Sequence, residues 1–235
     1  MAGVFPPGQK LFFPPGIISL MTQDLIHELE KKLQQPLPGR PAQLEMAHIT
    51  RQLYRDAPSD ARQAAVLAVL FQKDERWHTI LIERNANDRD HHAGQISFPG
   101  GKFEPEDSLL SNTALRETEE EIGLPGDKVR LLGRLTDLYI PVSNFQVHPF
   151  VGFINFSPSY RLQEEEVQSV FEVPLEHFTL PQVRKRTDIQ IARQLLLKNV
   201  PYFDIEGKVL WGATAMIISE LNTLISNYFA HERTE

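Results

Sequence analysis

Cysteine is absent from the 235 residues. That zero excludes disulfide frameworks, thiolate zinc sites, iron–sulfur clusters and cysteine nucleophiles together. Long hydrophobic runs are missing too, since no stretch reaches the about 18 continuous apolar residues of a membrane span. Basic charge is in deficit: 24 Lys+Arg stand against 31 Asp+Glu, a net of -7. A dedicated nucleic-acid binder would carry a basic face, so neither a nucleic acid nor a membrane is expected as a partner. The first 20 residues are broken by Pro6, Pro7, Pro14 and Pro15 and lack a basic segment leading into an apolar one. They read as an irregular arm rather than a secretory signal. The C-terminal HERTE carries no organelle address, and the lack of cysteine fits a reducing compartment, so a cytoplasmic location is expected. What is present, 41% hydrophobic and 23% charged residues, describes an ordinary globular chain. Its chemistry must then rest on carboxylates, His, Ser or a hard metal ion.

Residues 22–33 (TQDLIHELEKKL) place Leu25, Ile26, Leu29 and Leu33 at helical spacing behind a Thr22 N-cap. Pro36, Pro38, Gly39 and Pro41 then mark a boundary, and a short second helix is expected over residues 41–54. The apolar run 63–71 and the segment 77–83 flank a polar turn and predict a β-hairpin. Residues 84–97 read as a loop entering Phe98-Pro99-Gly100-Gly101. A helix is expected over 108–122, capped by Asp107 or Ser108 and closed by Gly123. Strands are expected at 129–139, 147–154 and 167–173, with an amphipathic helix over 213–229. This order suggests a mixed sheet with helices on both faces.

The helix over 108–122 carries the most unusual feature. Glu117, Glu120 and Glu121 fall at i, i+3 and i+4, so three carboxylates share one face. Like charges at that spacing repel, whereas hard oxygen donors on one face suit a divalent cation such as Mg²⁺ or Mn²⁺. An acidic run on a helix is ordinarily a solvated face. Two features point the other way here: Arg116 adjoins the cluster, and Gly100-Gly101 precedes it, allowing a backbone carbonyl to approach.

The stretch resembles the Nudix hydrolase box, G-x5-E-x7-R-E-U-x-E-E-x-G-U, with U a bulky aliphatic residue. Arg116, Glu117, Glu120, Glu121, Gly123 and Leu124 fill its second half in register. Thr118 takes an aliphatic slot. One extra residue between Gly101 and Arg116 moves the first acidic slot onto Ser108, with Asp107 beside it. Arg84, Arg89, Gly94 and Phe98-Pro99-Gly100-Gly101 are similar to the signature of the coenzyme A pyrophosphatase branch, with one residue more between Arg89 and Gly94. The segments from Glu166 to Leu175 and from Leu210 to Ala215, and Arg40 to Leu44 upstream, are also similar to that branch.

The resemblance, over about residues 39–225, implies an α/β Nudix fold, a mixed β-sheet in an α/β/α sandwich; the arm and first helix lie outside it and are expected to form an N-terminal helical extension. Residues 1–58 would form the arm and helices, and 59–230 the hydrolase domain. It implies cleavage of the pyrophosphate of coenzyme A or its derivatives, giving 3′,5′-ADP and 4′-phosphopantetheine. Glu117, Glu120, Glu121 and the Gly101 carbonyl would hold Mg²⁺ or Mn²⁺, and Arg116 would orient the glutamates. Glu166 is the candidate extra ligand or general base, with Glu164 and Glu165 as neighbouring alternatives. Arg84, Arg89, Gly100 and Gly101 would meet the substrate.

Adjacent His91 and His92 rarely bind one ion together. Ser143 lacks a nearby His/Asp pair for a triad, and Trp211 and Phe171 read as core aromatics. Two further readings stay open: the same enzyme class acting on ADP-ribose, a dinucleotide or a nucleoside triphosphate, and a Nudix-fold sensor that does not hydrolyse. A homodimer, the commonest soluble assembly, stays open as well.

Overall fold

β1 (Arg62–Lys73) anchors the sheet because its side chains satisfy two cores at once. Ala64, Ala68 and Leu70 face one core, while Ala65, Leu67, Val69 and Phe71 face the other. A strand apolar at both odd and even positions must be covered on both sides. β2 (Arg76–Arg84) returns beside β1 through Asp74 and Glu75, both at positive φ (49° and 63°), and Lys73 pairs with Arg76. This two-residue connection follows the strand twist, and it is the expected hairpin. The computed structural model describes residues 25–50, 56–85, 94–192 and 195–231. The N-terminal arm and the Thr22 cap lie outside the described residues.

β7 (Phe145–Phe153) runs parallel to β1 on its other side. β3 (Ile96–Ser97), β4 (Gly100–Lys102), β5 (Arg130–Arg134), β6 (Leu138–Ile140) and β8 (Val167–Pro174) complete an eight-stranded mixed sheet among the described residues. The strand expected over 129–139 is thus two strands, both paired to β7. α3 (Leu110–Ile122) covers one face through Ala114 and Ile122. The other face is covered by α4 (Gly212–His231), by α1 (25–33) through Leu25, Ile26, Leu29 and Leu33, and by residues around α2 (Gly39–Leu44). The architecture is the α/β/α sandwich expected from the sequence.

Other elements depart from expectation as well, β3 among them, which lies inside the expected loop 84–97. The helix expected over 41–54 begins at Gly39 and ends at Leu44; residues 51–55 lie outside the described residues. α4 is buried on most sides instead of amphipathic, with residues 214–222 all inaccessible. A separate three-stranded antiparallel sheet, β9 (Arg184–Ala192), β10 (Leu195–Ile205) and β11 (Lys208–Trp211), precedes α4. β9 begins RKRTD, which hides its strand character, and β10 is interrupted by a register shift beside Asn199 at φ 58°. The base of this sheet joins the core through Val200, Phe203 and Ile205. Among the described residues no helix is long and apolar enough to cross a membrane.

Apolar residues from Ala215 to Phe229 bury α4 in the core, and hydrogen bonds let Glu220 go with them. Its fully buried carboxylate accepts from Gly39 N–H (3.1 Å), Gln43 Nε2 (2.9 Å), Thr136 N–H (3.2 Å) and Thr136 Oγ1 (2.6 Å). One side chain therefore ties α2 and the β5–β6 connection to α4. Glu220→Ala strands these donors and is expected to cost about 3 kcal/mol. Urea unfolding measures this, and an unchanged midpoint would refute the role of the network.

Candidate active site

The entry to α3 differs from the simple N-cap expected at Asp107 or Ser108. Asp107 closes a 3-10 turn (Pro105–Asp107), and Leu109 N–H then bonds back to Asp107 C=O at 2.6 Å across Ser108, at φ 62°. This γ-turn, strained by on the order of 1 kcal/mol, absorbs the extra residue between Gly101 and Arg116. Asp107, not Ser108, consequently occupies the acidic position. It is buried, and it accepts from Arg116 Nε (2.7 Å) and Nη2 (3.1 Å), Thr113 Oγ1 (2.8 Å) and Glu104 N–H (3.0 Å). The Arg116 hydrogen bonds hold its carboxyl well below the usual carboxylate range.

Arg116 turns that anchor into order among the glutamates. Its Nη1 reaches Glu117 and Glu120, both at 2.9 Å, and Nη2 donates to Lys102 C=O at 3.2 Å. The three glutamates form a gradient of side-chain exposure, Glu120 at 52%, Glu117 at 15% and Glu121 at 1%. Glu119 points elsewhere and accepts from Gly126 N–H. Thr118 is buried, its hydroxyl donating to Ala114 C=O at 2.6 Å, which explains how an aliphatic slot tolerates it.

β4 lies directly against this face. A Cβ on Gly101 would fall 2.3 Å from the Glu117 carboxyl carbon, and one on Gly100 would fall 2.3 Å from Ala65 C=O. At Gly100, at φ 151°, the clash is with backbone and only glycine fits; at Gly101 a Cβ would push the Glu117 carboxylate off the strand. Gly100 N–H donates to Glu121 Oε2 at 2.8 Å, and Arg84 Nη1, at the end of β2, meets Glu121 Oε1 at 3.3 Å.

Positive charge is nonetheless insufficient. Burial pushes the Glu121 carboxyl up to about 8 despite Gly100 N–H and Arg84. Burial also raises Glu117, and the charges of Glu120 and Glu166 add to it. Glu166 lies on an exposed loop, and its charge raises Glu121 as well. Asn85 pins that loop, its N–H donating to Glu166 C=O (2.7 Å) and its Nδ2 to Glu164 C=O (2.8 Å). Asn85 was not singled out from the sequence, where it is one polar residue in a loop-like stretch. Undercompensated buried carboxylates beside bare glycines are a donor set suited to a hard divalent cation. Among the described residues no three acidic or imidazole groups converge on one point; Arg116 pairs with Glu117 and Glu120, and Arg84 with Glu121. Arg89, His91 and His92 lie outside the described residues.

On the far side of β4 opens a cavity of about 660 Å³. Gly100, Gly101, Lys102 and Arg84 line it along β4 and the end of β2; Phe98, Ile140, Phe145, Leu197, Trp211 and Met216 make much of its apolar wall. Trp211, expected in the core, is half-buried and faces this cavity. Phe171 does pack against the core.

The NUDIX domain family matches residues 61–195, more than half of the chain. The chain belongs to the Nudix family. It is 35% identical over 207 residues, 88% of this chain and 98% of the relative, to the "Uncharacterized Nudix hydrolase NudL" of Yersinia pestis (strain Pestoides F), and equally to that of Yersinia pseudotuberculosis (strain YPIII). Among solved structures, the Nudix hydrolase RenU of M. smegmatis overlaps 71% of this chain and 87% of its own, at 13% identity and a TM-score of 0.48. The protein is a Nudix hydrolase, and Nudix hydrolases generally use divalent metal ions such as Mg²⁺ or Mn²⁺.

The buried glutamate of this Nudix helix has a measurable signature. Its folded-state pKa lies above the ordinary 4.5, so the fold favours the protonated form. That contribution is whole below about pH 4.5 and is lost as pH rises through about 8. Glu121→Gln should therefore stabilise the metal-free protein at pH 8 by on the order of 2 kcal/mol, about 5 °C in Tm. The gain should shrink toward pH 5. Melting curves in EDTA at both pH values check this, and a lower Tm for the variant at pH 8 contradicts it.

Proposed function

We propose that this Nudix hydrolase cleaves the pyrophosphate of coenzyme A or its derivatives. The observation that carries the reading is the apolar cavity bordering β4. The pantetheine arm of coenzyme A is long and partly apolar, whereas the ribose of ADP-ribose or a second nucleotide would bring hydroxyls against Phe98, Phe145 and Trp211. Similarity to the coenzyme A branch at Phe98-Pro99-Gly100-Gly101 and at Trp211-Gly212-Ala213-Thr214-Ala215 supports the same choice. In this reading the protein works in the cytoplasm, residues 59–230 form the catalytic unit, and the substrate is a small nucleotide-containing molecule.

Glu117, Glu120, Glu121 and the Gly101 carbonyl would hold Mg²⁺ or Mn²⁺, which when bound neutralises diphosphate oxygens and lowers the pKa of a bound water. Arg116, itself held by Asp107, orients Glu117 and Glu120. Arg84 and the backbone of Gly100 and Gly101, which line the cavity, meet the substrate. Glu166, on the loop pinned by Asn85, accepts the proton of the attacking water in this reading. Water adds to one phosphorus, the bridging P–O bond breaks, and the products are 3′,5′-ADP and 4′-phosphopantetheine or its acyl form.

Purified protein with Mg²⁺ or Mn²⁺ should turn over coenzyme A faster than ADP-ribose, a dinucleotide or a nucleoside triphosphate. A preference for ADP-ribose would overturn the substrate assignment, and binding of coenzyme A without turnover under either metal would identify a sensor. Glu120→Gln and Glu121→Gln should each lower kcat by about 100-fold or more with the fold intact by circular dichroism. Near-normal rates in both variants would remove these carboxylates from the metal site.

A further inference from the structure

The two oxygens of the Glu121 carboxylate are held by different kinds of partner. Oε2 accepts from Gly100 N–H, a backbone donor fixed by the pairing of β4 with β1. Oε1 faces the guanidinium of Arg84, on a long side chain that is 26% exposed. The backbone on either side of Arg84 is clamped. Lys208 Nζ meets both oxygens of the neighbouring Glu83, at 2.6 and 2.8 Å, and Ser169 Oγ donates to it at 2.9 Å. Asn85 holds the 164–166 loop. Arg84 also lines the apolar cavity, so one residue borders both the acidic helix and the space beyond β4.

We propose that Arg84 is an exchange residue, pairing with Glu121 until a divalent cation takes that place and then turning to the diphosphate of the substrate. The inference rests on the metal-dependent reading above. A guanidinium and a doubly charged ion beside the same carboxylate oxygen repel one another strongly in a partly buried site. The neutral Gly100 N–H meets no such repulsion and stays. A displaced guanidinium fits diphosphate oxygens through its forked donors. Arg84 is thereby a positioning residue toward the metal and a binding residue toward the substrate, and it couples the two.

Electron paramagnetic resonance titration of the full chain with Mn²⁺, without substrate, tests the exchange. Arg84→Met should bind Mn²⁺ about 5-fold or more tightly than the wild type, because the competing cation is gone. Arg84→Lys keeps the charge and should stay within about 2-fold of the wild type. Lys102→Met removes a different positive charge from the cavity lining and should also change affinity by less than about 2-fold. With saturating Mn²⁺, Arg84→Met should raise KM for coenzyme A about 10-fold while kcat falls less than 3-fold. Unchanged or weaker Mn²⁺ binding by Arg84→Met overturns the exchange, as does equal tightening by Lys102→Met. A wild-type chain that takes up no Mn²⁺ overturns the metal reading itself. Mn²⁺ uptake with the predicted tightening but no turnover of coenzyme A leaves the exchange standing and removes only the substrate assignment.

Discussion

A row of carboxylates pressed against a sheet must be neutralised or left partly protonated, and the surroundings of α3 follow from how that is met. Arg116 is the main device. Anchored by the buried Asp107, it spans to Glu117 and Glu120 and fixes their directions. Its reach does not extend to Glu121, the most deeply buried of the three, which falls to Gly100 N–H and Arg84. Burial, only partly offset by these partners, raises the Glu117 and Glu121 carboxyls. Such an arrangement costs stability in the absence of a cation, which a merely solvated acidic face would not do.

The glycine strand β4 converts this electrostatic feature into a site with two compartments. Without a Cβ at Gly101 the Glu117 carboxylate lies against the strand, and the strand's other side borders the apolar cavity. The acidic face and the apolar cavity thus lie on either side of a single strand. The small sheet β9–β11 closes the far wall, and the Glu83–Lys208 pair ties that sheet to the strand carrying Arg84.

Much of this was legible in the chain. The apolar run of β1, the hairpin turn and the i, i+3, i+4 glutamates each announce themselves through local periodicity. Gly123 at φ 74° closes α3 where a C-terminal glycine was expected. Other parts were not legible. β9 hides behind RKRTD, since an exposed edge strand needs no apolar alternation. α4 read as amphipathic because its Glu220 and Asn222 look like surface residues, yet both are buried. Asp107 is brought into the acidic position by a γ-turn at Ser108, a backbone event with no sequence signature.

The sequence by itself determined which residue types stand where along each element: the acidic triad on one helical face, the paired glycines before it, and a core strand apolar on both sides. Those properties depend on spacing of a few residues, which helix and strand geometry translate directly into faces. Only the tertiary structure decided that Glu121 is the buried member, that Arg84 partners it across 37 positions of sequence, and that Trp211 looks into a cavity. Burial and long-range pairing depend on which elements close over one another, and that is set by the packing of the whole sandwich rather than by any local pattern.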